Sequence, residues 1–166
     1  MREMRLAPPR GGAELLVDRP ALTARRLCGL GQTLVSGDIG AVIASLAPGA
    51  PILGLYALAP EGAHALRIGR TSALLVTPAP LAASDGWREG WCATSVDDGF
   101  AAVEVSGVSV PQALMQATSA DLDSGSPSAA VLVFGLRGLL ARTGAGFRVH
   151  IEATRLETLI AWLDGV

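Results

Sequence analysis

The chain has 166 residues, enough to bury a substantial core as one large domain or two small ones. Half of it is hydrophobic and 17% is charged; the net charge is −2 and no basic tract occurs, which excludes the phosphate-neutralising patch of a nucleic-acid binder. All 13 basic residues are arginine, so a Schiff base, a P-loop lysine and a Ser–Lys pair are excluded as well.

Glu14–Val17 and Arg26–Leu34 are the first strand candidates. Asp38 precedes a helix from Ile39 to Ala47 that Pro48 stops, with Ile39, Val42, Ile43 and Leu46 as its apolar stripe. The run from Ile39 to Pro60 carries no charge and is long enough to cross a bilayer. Pro48, Gly49 and Pro51 interrupt it and its stripe is one-sided, so no membrane span is expected. Ile52–Leu58, Ala65–Ile68 and Ala73–Thr77 read as strands, followed by a short helix from Pro78 to Ala83.

Trp91–Val96 and Phe100–Ser106 flank Asp97-Asp98-Gly99, the composition of a hairpin turn. Ser109 with Gln112 forms a capping box, ahead of a stripe of Val110, Ala113, Leu114 and Ala117. After the turn-rich stretch from Asp121 to Ser128 come strands Ala129–Phe134, Gly138–Arg142 and Phe147–Glu152, the last two joined by a turn at Thr143–Gly146. In the last strand Phe147, Val149 and Ile151 share one face and Arg148, His150 and Glu152 the other. Thr154 and Glu157 form a second capping box, and Leu156, Leu159, Ile160 and Leu163 the stripe of a terminal helix. The similar order of elements in 1–87 and 88–166 predicts a diverged duplication: two α+β halves forming one compact domain, each with helices on one face of a mostly antiparallel sheet.

Few residues carry chemistry. Serines are plentiful, but His64 and His150 are the only histidines and neither lies in a nucleophile elbow. His150 beside Arg148 and Glu152 is expected on a solvated sheet face; with Glu152 it would supply two corners of a metal site, with no obvious third. Gly29-Leu30-Gly31 is too short for a dinucleotide fingerprint and reads as a bend. The pairs Asp97/Asp98 and Asp121/Asp123 read as turn chemistry. Cys28 and Cys92 form no CxxC unit and no secretory signal opens the chain, so reduced thiols and a cytoplasmic location are expected. Trp162 lies to one side of the terminal stripe beside Arg155 and near Thr158; tryptophan and arginine are enriched at interface cores, and with Trp87 and Trp91 these are the candidate partner contacts. The alternative is that Trp162 widens the buried face and that Trp87 or Trp91 packs between the halves.

The segments Ala102-Val-Glu-Val-Ser-Gly107, the capped helix carrying Leu114, Asp121-Leu122, Phe147-Arg-Val-His-Ile151 and Trp162-Leu163 resemble the gamma subunit of heterotetrameric sarcosine oxidase. Upstream, Ile39–Pro51, Leu66-Arg-Ile-Gly69 and Ala73–Pro78 are similar to that family's helix, Pro-rich loop and short strands, so the resemblance covers the chain beyond about residue 35. Departures fall at Ala153-Thr154, where the family usually has Arg-Ser, at Ile160 in place of an aromatic, and at Ala117-Thr118 in place of a Gly-Cys-like pair. The resemblance implies two ferredoxin-like halves, as in the aminomethyltransferase (folate-binding) fold. It also implies a non-catalytic subunit packed against larger flavoprotein subunits, which would hold FAD, FMN, NAD and tetrahydrofolate while this chain holds none. A second reading is a stand-alone folate- or pterin-binding relative of the aminomethyltransferases, gripping the pterin with Glu104 or Asp121. A third is a module that pairs with its own copies as a homo-oligomer.

Overall fold

Alternating and fully apolar runs of this chain form twelve strands and three α-helices in the computed structural model, which describes residues 12–82 and 86–165. In chain order these are β1 (Ala13–Arg19), β2 (Leu22–Leu27), β3 (Gly31–Gly37), α1 (Ile39–Leu46), β4 (Ile52–Leu53), β5 (His64–Arg67), β6 (Ser72–Thr77), β7 (Gly86–Arg88), β8 (Trp91–Ser95), β9 (Phe100–Ser106), α2 (Val110–Ala117), β10 (Ala130–Val133), β11 (Leu136–Thr143), β12 (Gly146–Glu152) and α3 (Leu156–Asp164). The fold is α+β with two six-stranded sheets: sheet I in the order β1-β2-β9-β12-β11-β10 and sheet II in the order β4-β5-β6-β3-β8-β7. All pairs between these strands are antiparallel except β4 with β5.

The strand order contains an internal repeat. The unit β3–α1–β4–β5–β6 lays its strands side by side as β4-β5-β6-β3, and β9–α2–β10–β11–β12 lays its own as β10-β11-β12-β9. Each unit is preceded in sequence by a hairpin, and the hairpins are exchanged. β1–β2 joins sheet I beside β9, and β7–β8 joins sheet II beside β3. Segments 1–87 and 88–166 therefore both contribute to both sheets: β1 and β2 of the first complete sheet I, β8 of the second joins sheet II, and β7 straddles the boundary.

Three apolar clusters define the layers. Val103, Leu140, Val149 and Ile151 of sheet I meet Leu114 of α2 and Leu159 and Leu163 of α3. Val35, Ala73, Leu75 and Ala93 of sheet II meet Val42 and Ile43 of α1. Leu139 and Ala141 of sheet I meet Leu66, Leu74 and Val76 of sheet II. The two sheets thus pack face to face with helices outside. Strand β6 alternates strictly between two of these clusters, which explains its unbroken run Ala73-Leu74-Leu75-Val76: both of its faces are buried. Burial of such side chains is the dominant stabilising term, about 1.5–3 kcal/mol each.

Several expectations are corrected. Trp91–Val96 and Phe100–Ser106 do not form a hairpin: β8 pairs with β3 and β7, β9 with β2 and β12, and Asp97-Asp98-Gly99 carries the chain from one sheet to the other. The amide of Gln32 donates to Asp97 Oδ1, which fastens this connection to β3 instead of folding it back on β8. Arg26–Leu34 is not one strand, because Gly29 takes φ +79° and bends the chain between β2 and β3. Of Ile52–Leu58 only Ile52–Leu53 forms a strand, with Leu58 making an isolated bridge to Arg142. No helix follows Pro78 through residue 82, where Pro80 lacks an amide hydrogen; the remainder of that expected helix lies outside the described residues. Asp38 caps α1 as expected, accepting from the Ala41 amide at 3.0 Å, but neither capping box forms. Ser109 makes no side-chain cap bond, and Thr154 is drawn into a 3₁₀ turn, Ala153–Arg155, ahead of α3.

Candidate functional site

Two features stand out: an aromatic stripe on the outer helix layer and a polar node sealed between the sheets. Arg155, Thr158 and Trp162 occur at i, i+3 and i+7 and are all exposed, so they share one outward stripe across the 3₁₀ turn and α3. The Trp162 ring is 47% exposed and stacks on Phe134, with centroids 4.3 Å apart and planes 19° from parallel. Phe134 (φ +52°) and Gly135 (φ +74°) form the two-residue turn between β10 and β11. A left-handed conformation is costly for phenylalanine. Two contacts hold it there: the Trp162 stack, and its amide donating to the Ala117 carbonyl at the end of α2 at 2.7 Å. Phe134 was not singled out in the sequence; its signal was the Phe-Gly pair between two strands.

Trp87 does not join this stripe. It lies on β7, the edge of sheet II, and is 78% exposed. Trp91 is half-buried against the α1 cluster, with the Arg88 guanidinium 5.9 Å above its ring.

The polar node corrects the expected surroundings of His150. Its face of β12 is not solvated but covered by sheet II, and the ring is fully buried. His150 Nδ1 lies 2.7 Å from Gln32 Oε1, while Gln32 Nε2 donates to the Phe100 carbonyl at 3.0 Å. That second bond fixes which end of the amide faces the imidazole, so His150 Nδ1 carries the hydrogen and Nε2 the lone pair. His64 follows the same rule: Nδ1 donates to the Gly62 carbonyl at 2.8 Å, leaving Nε2 bare. In sheet II, Gln32, Val76 and His64 sit directly across from one another on β3, β6 and β5, so they share the face turned to sheet I. Burial, opposed only in part by the Gly62 hydrogen bond, lowers the His64 pKa, with nearby Arg148 adding to the shift. Burial likewise pushes His150 down to about 3, with Arg148 and then His64 contributing. Both imidazoles are neutral at pH 7 and reach no solvent, so neither serves as a base toward a substrate.

Glu104, one of the two carboxylates considered for gripping a pterin, is paired with Arg148 at 2.9 Å across β9 and β12. The other, Asp121, caps its own exposed loop, accepting from the amides of Asp123 and Ser124 at 2.9 Å each; these bonds with Ser124 and Asp123 lower its pKa. No group of three His, Cys, Asp or Glu suited to a metal ion occurs among the described residues.

A cavity of about 430 Å³ opens where both inter-sheet connections cross, lined by Cys28, Leu30, Gln32, Asp97, Asp98 and Phe100 among others. Asp97 accepts from Ser95 Oγ at 3.1 Å as well as from Gln32, so its carboxylate braces the fold at this mouth.

No family model and no curated protein matches the chain. Among solved structures, a chain of heterotetrameric sarcosine oxidase from Corynebacterium sp. U-96, in complex with pyrrole 2-carboxylate, is similar to it with a TM-score of 0.75 at 20% identity. The similarity covers 91% of this chain and 86% of that one, so the two share a fold almost end to end. No helix among the described residues is long and apolar enough to cross a membrane.

Proposed function

We propose that this chain is the gamma-type, non-catalytic subunit of a sarcosine-oxidase-like flavoenzyme, stabilising larger subunits that carry out oxidative demethylation of sarcosine or a related N-methyl amine. The observation that carries the reading is the near end-to-end structural likeness to one chain of such an assembly. The chain's own chemistry is consistent with it: both histidines are sealed between the sheets, while the stripe Arg155–Thr158–Trp162 faces outward. In this reading FAD, FMN, NAD and tetrahydrofolate belong to the partner subunits, and Trp162 on its Phe134 support is the contact that buries most area against them. The test is omission. The large-subunit genes are expressed with and without this chain, and the soluble yield and thermal midpoint of the flavin-bearing subunits are measured. Both fall when the chain is absent; unchanged values would refute a stabilising role.

A further inference from the structure

The node between the sheets is incomplete in its own hydrogen bonding. Nε2 of His64, Nε2 of His150 and Nε of Arg148 are all buried with no hydrogen-bond partner. The tautomers fixed above make the two imidazole nitrogens acceptors and the Arg148 Nε–H a donor. Arg148 and His150 are two residues apart on β12, and so share the face turned to sheet II, from which His64 approaches. Arg148 lies near enough to both rings to help lower their pKa values, and His64 near enough to help lower that of His150. Two lone pairs and one N–H, with no protein group to meet them, call for a molecule with two hydrogens to give and one lone pair to receive.

We propose that a single buried water joins the two sheets here, donating to His64 Nε2 and His150 Nε2 and accepting from Arg148 Nε–H. Other occupants fit less well. An anion has no hydrogen for the imidazole lone pairs, and a metal cation would meet only two ligands beside a guanidinium. Three hydrogen bonds are the usual complement of an interior water. The water would tie β12 of sheet I to β5 of sheet II through His150, Arg148 and His64. Gln32, which holds His150, also lines the cavity at the sheet ends. Such a link fixes how one sheet sits on the other, which apolar contacts alone define less sharply.

A crystal structure of the full chain, alone or in its complex, tests this directly. The expected result is a density peak about 2.7–3.2 Å from all three nitrogens. NMR at pH 7 is expected to show both rings protonated at Nδ1 and a cross-peak from each ring to a long-lived water. Well-defined side chains with no peak between them, or either ring protonated at Nε2, would overturn the proposal. In His64→Leu the water cross-peak to His150 is expected to disappear or to exchange at least roughly tenfold faster; a peak of unchanged lifetime would exclude His64 as a ligand. Should that variant fail to fold, the wild-type structure and ring tautomers decide alone.

Discussion

Acid should weaken this fold through His150 well before its carboxylates titrate. An unfolded chain protonates the imidazole near its ordinary 6.5, whereas in the folded chain burial holds it at about 3. Protonation therefore favours the unfolded state. The stability is fully present above the unfolded value, is lost as pH falls from 6.5 towards 3, and then levels off. From pH 7 to pH 5 the loss from this ring is about 2 kcal/mol, and by pH 3 about 4 kcal/mol. His64, also shifted down by burial, adds to the loss in the same interval. Two kcal/mol is a large fraction of the roughly 5–15 kcal/mol that stabilises most domains. The assay is urea unfolding at pH 7, 6 and 5, followed by far-UV circular dichroism, with the slope against denaturant held as a check on two-state behaviour. His150→Gln, whose amide can still donate to Gln32 Oε1 but does not titrate, is the control: it should be less stable at pH 7 yet lose about 2 kcal/mol less on acidification. A wild-type stability flat within about 0.5 kcal/mol between pH 7 and 5 would refute the reasoning, as would an NMR titration placing His150 near 6.5.

Other consequences are simpler to check. Gln32→Leu leaves the His150 Nδ1–H and the Phe100 carbonyl without their partner between the sheets, so urea midpoints should report a loss of roughly 1–3 kcal/mol. Leu140→Ala opens a cavity between sheet I and its helices at a fully buried position and should cost about 2–5 kcal/mol in the same assay. Asp38→Ala removes the oxygen that caps α1 and should cost about 1 kcal/mol. Trp162→Ala should change the stability of the isolated chain by roughly 0.5–1.5 kcal/mol, the value of its stack on Phe134, and weaken partner binding by about 2 kcal/mol or more, near thirtyfold in Kd by titration calorimetry. A variant that binds the partner as tightly as wild type would move the interface off α3.

The locally encoded parts of the fold were legible in the sequence. The α1 stripe and its Asp38 cap, the β11–β12 hairpin across Gly144-Ala145, and the apolar face of α3 all depend on neighbours within a few residues. The repeat was legible as a recurring order of elements. The exchange of hairpins was not, because Asp97-Asp98-Gly99 suits a hairpin turn and an inter-sheet connection equally well, and what decides is the Gln32 amide 65 positions away. His150 was misjudged for the same kind of reason. Alternation of Arg148, His150 and Glu152 with apolar residues looks like a solvated face, yet the His150 Nδ1–H bonds to a residue 118 positions away and the Arg148 guanidinium pairs through one nitrogen with a residue 44 away. Polar residues on a strand signal water only when no distant partner meets them. Trp162 was singled out in the sequence as lying beside the terminal stripe, but its support by Phe134 requires a left-handed phenylalanine that a local reading does not anticipate.

The proposed role makes this chain one member of a larger flavin-bearing assembly. Co-expression with the large-subunit genes, then size-exclusion chromatography with native mass spectrometry of the yellow fraction, addresses that most directly. The predicted result is a complex whose mass includes one 16.9 kDa copy of this chain per set of larger subunits. Elution of the chain at its own mass, beside large subunits that are folded and loaded with flavin, would contradict it.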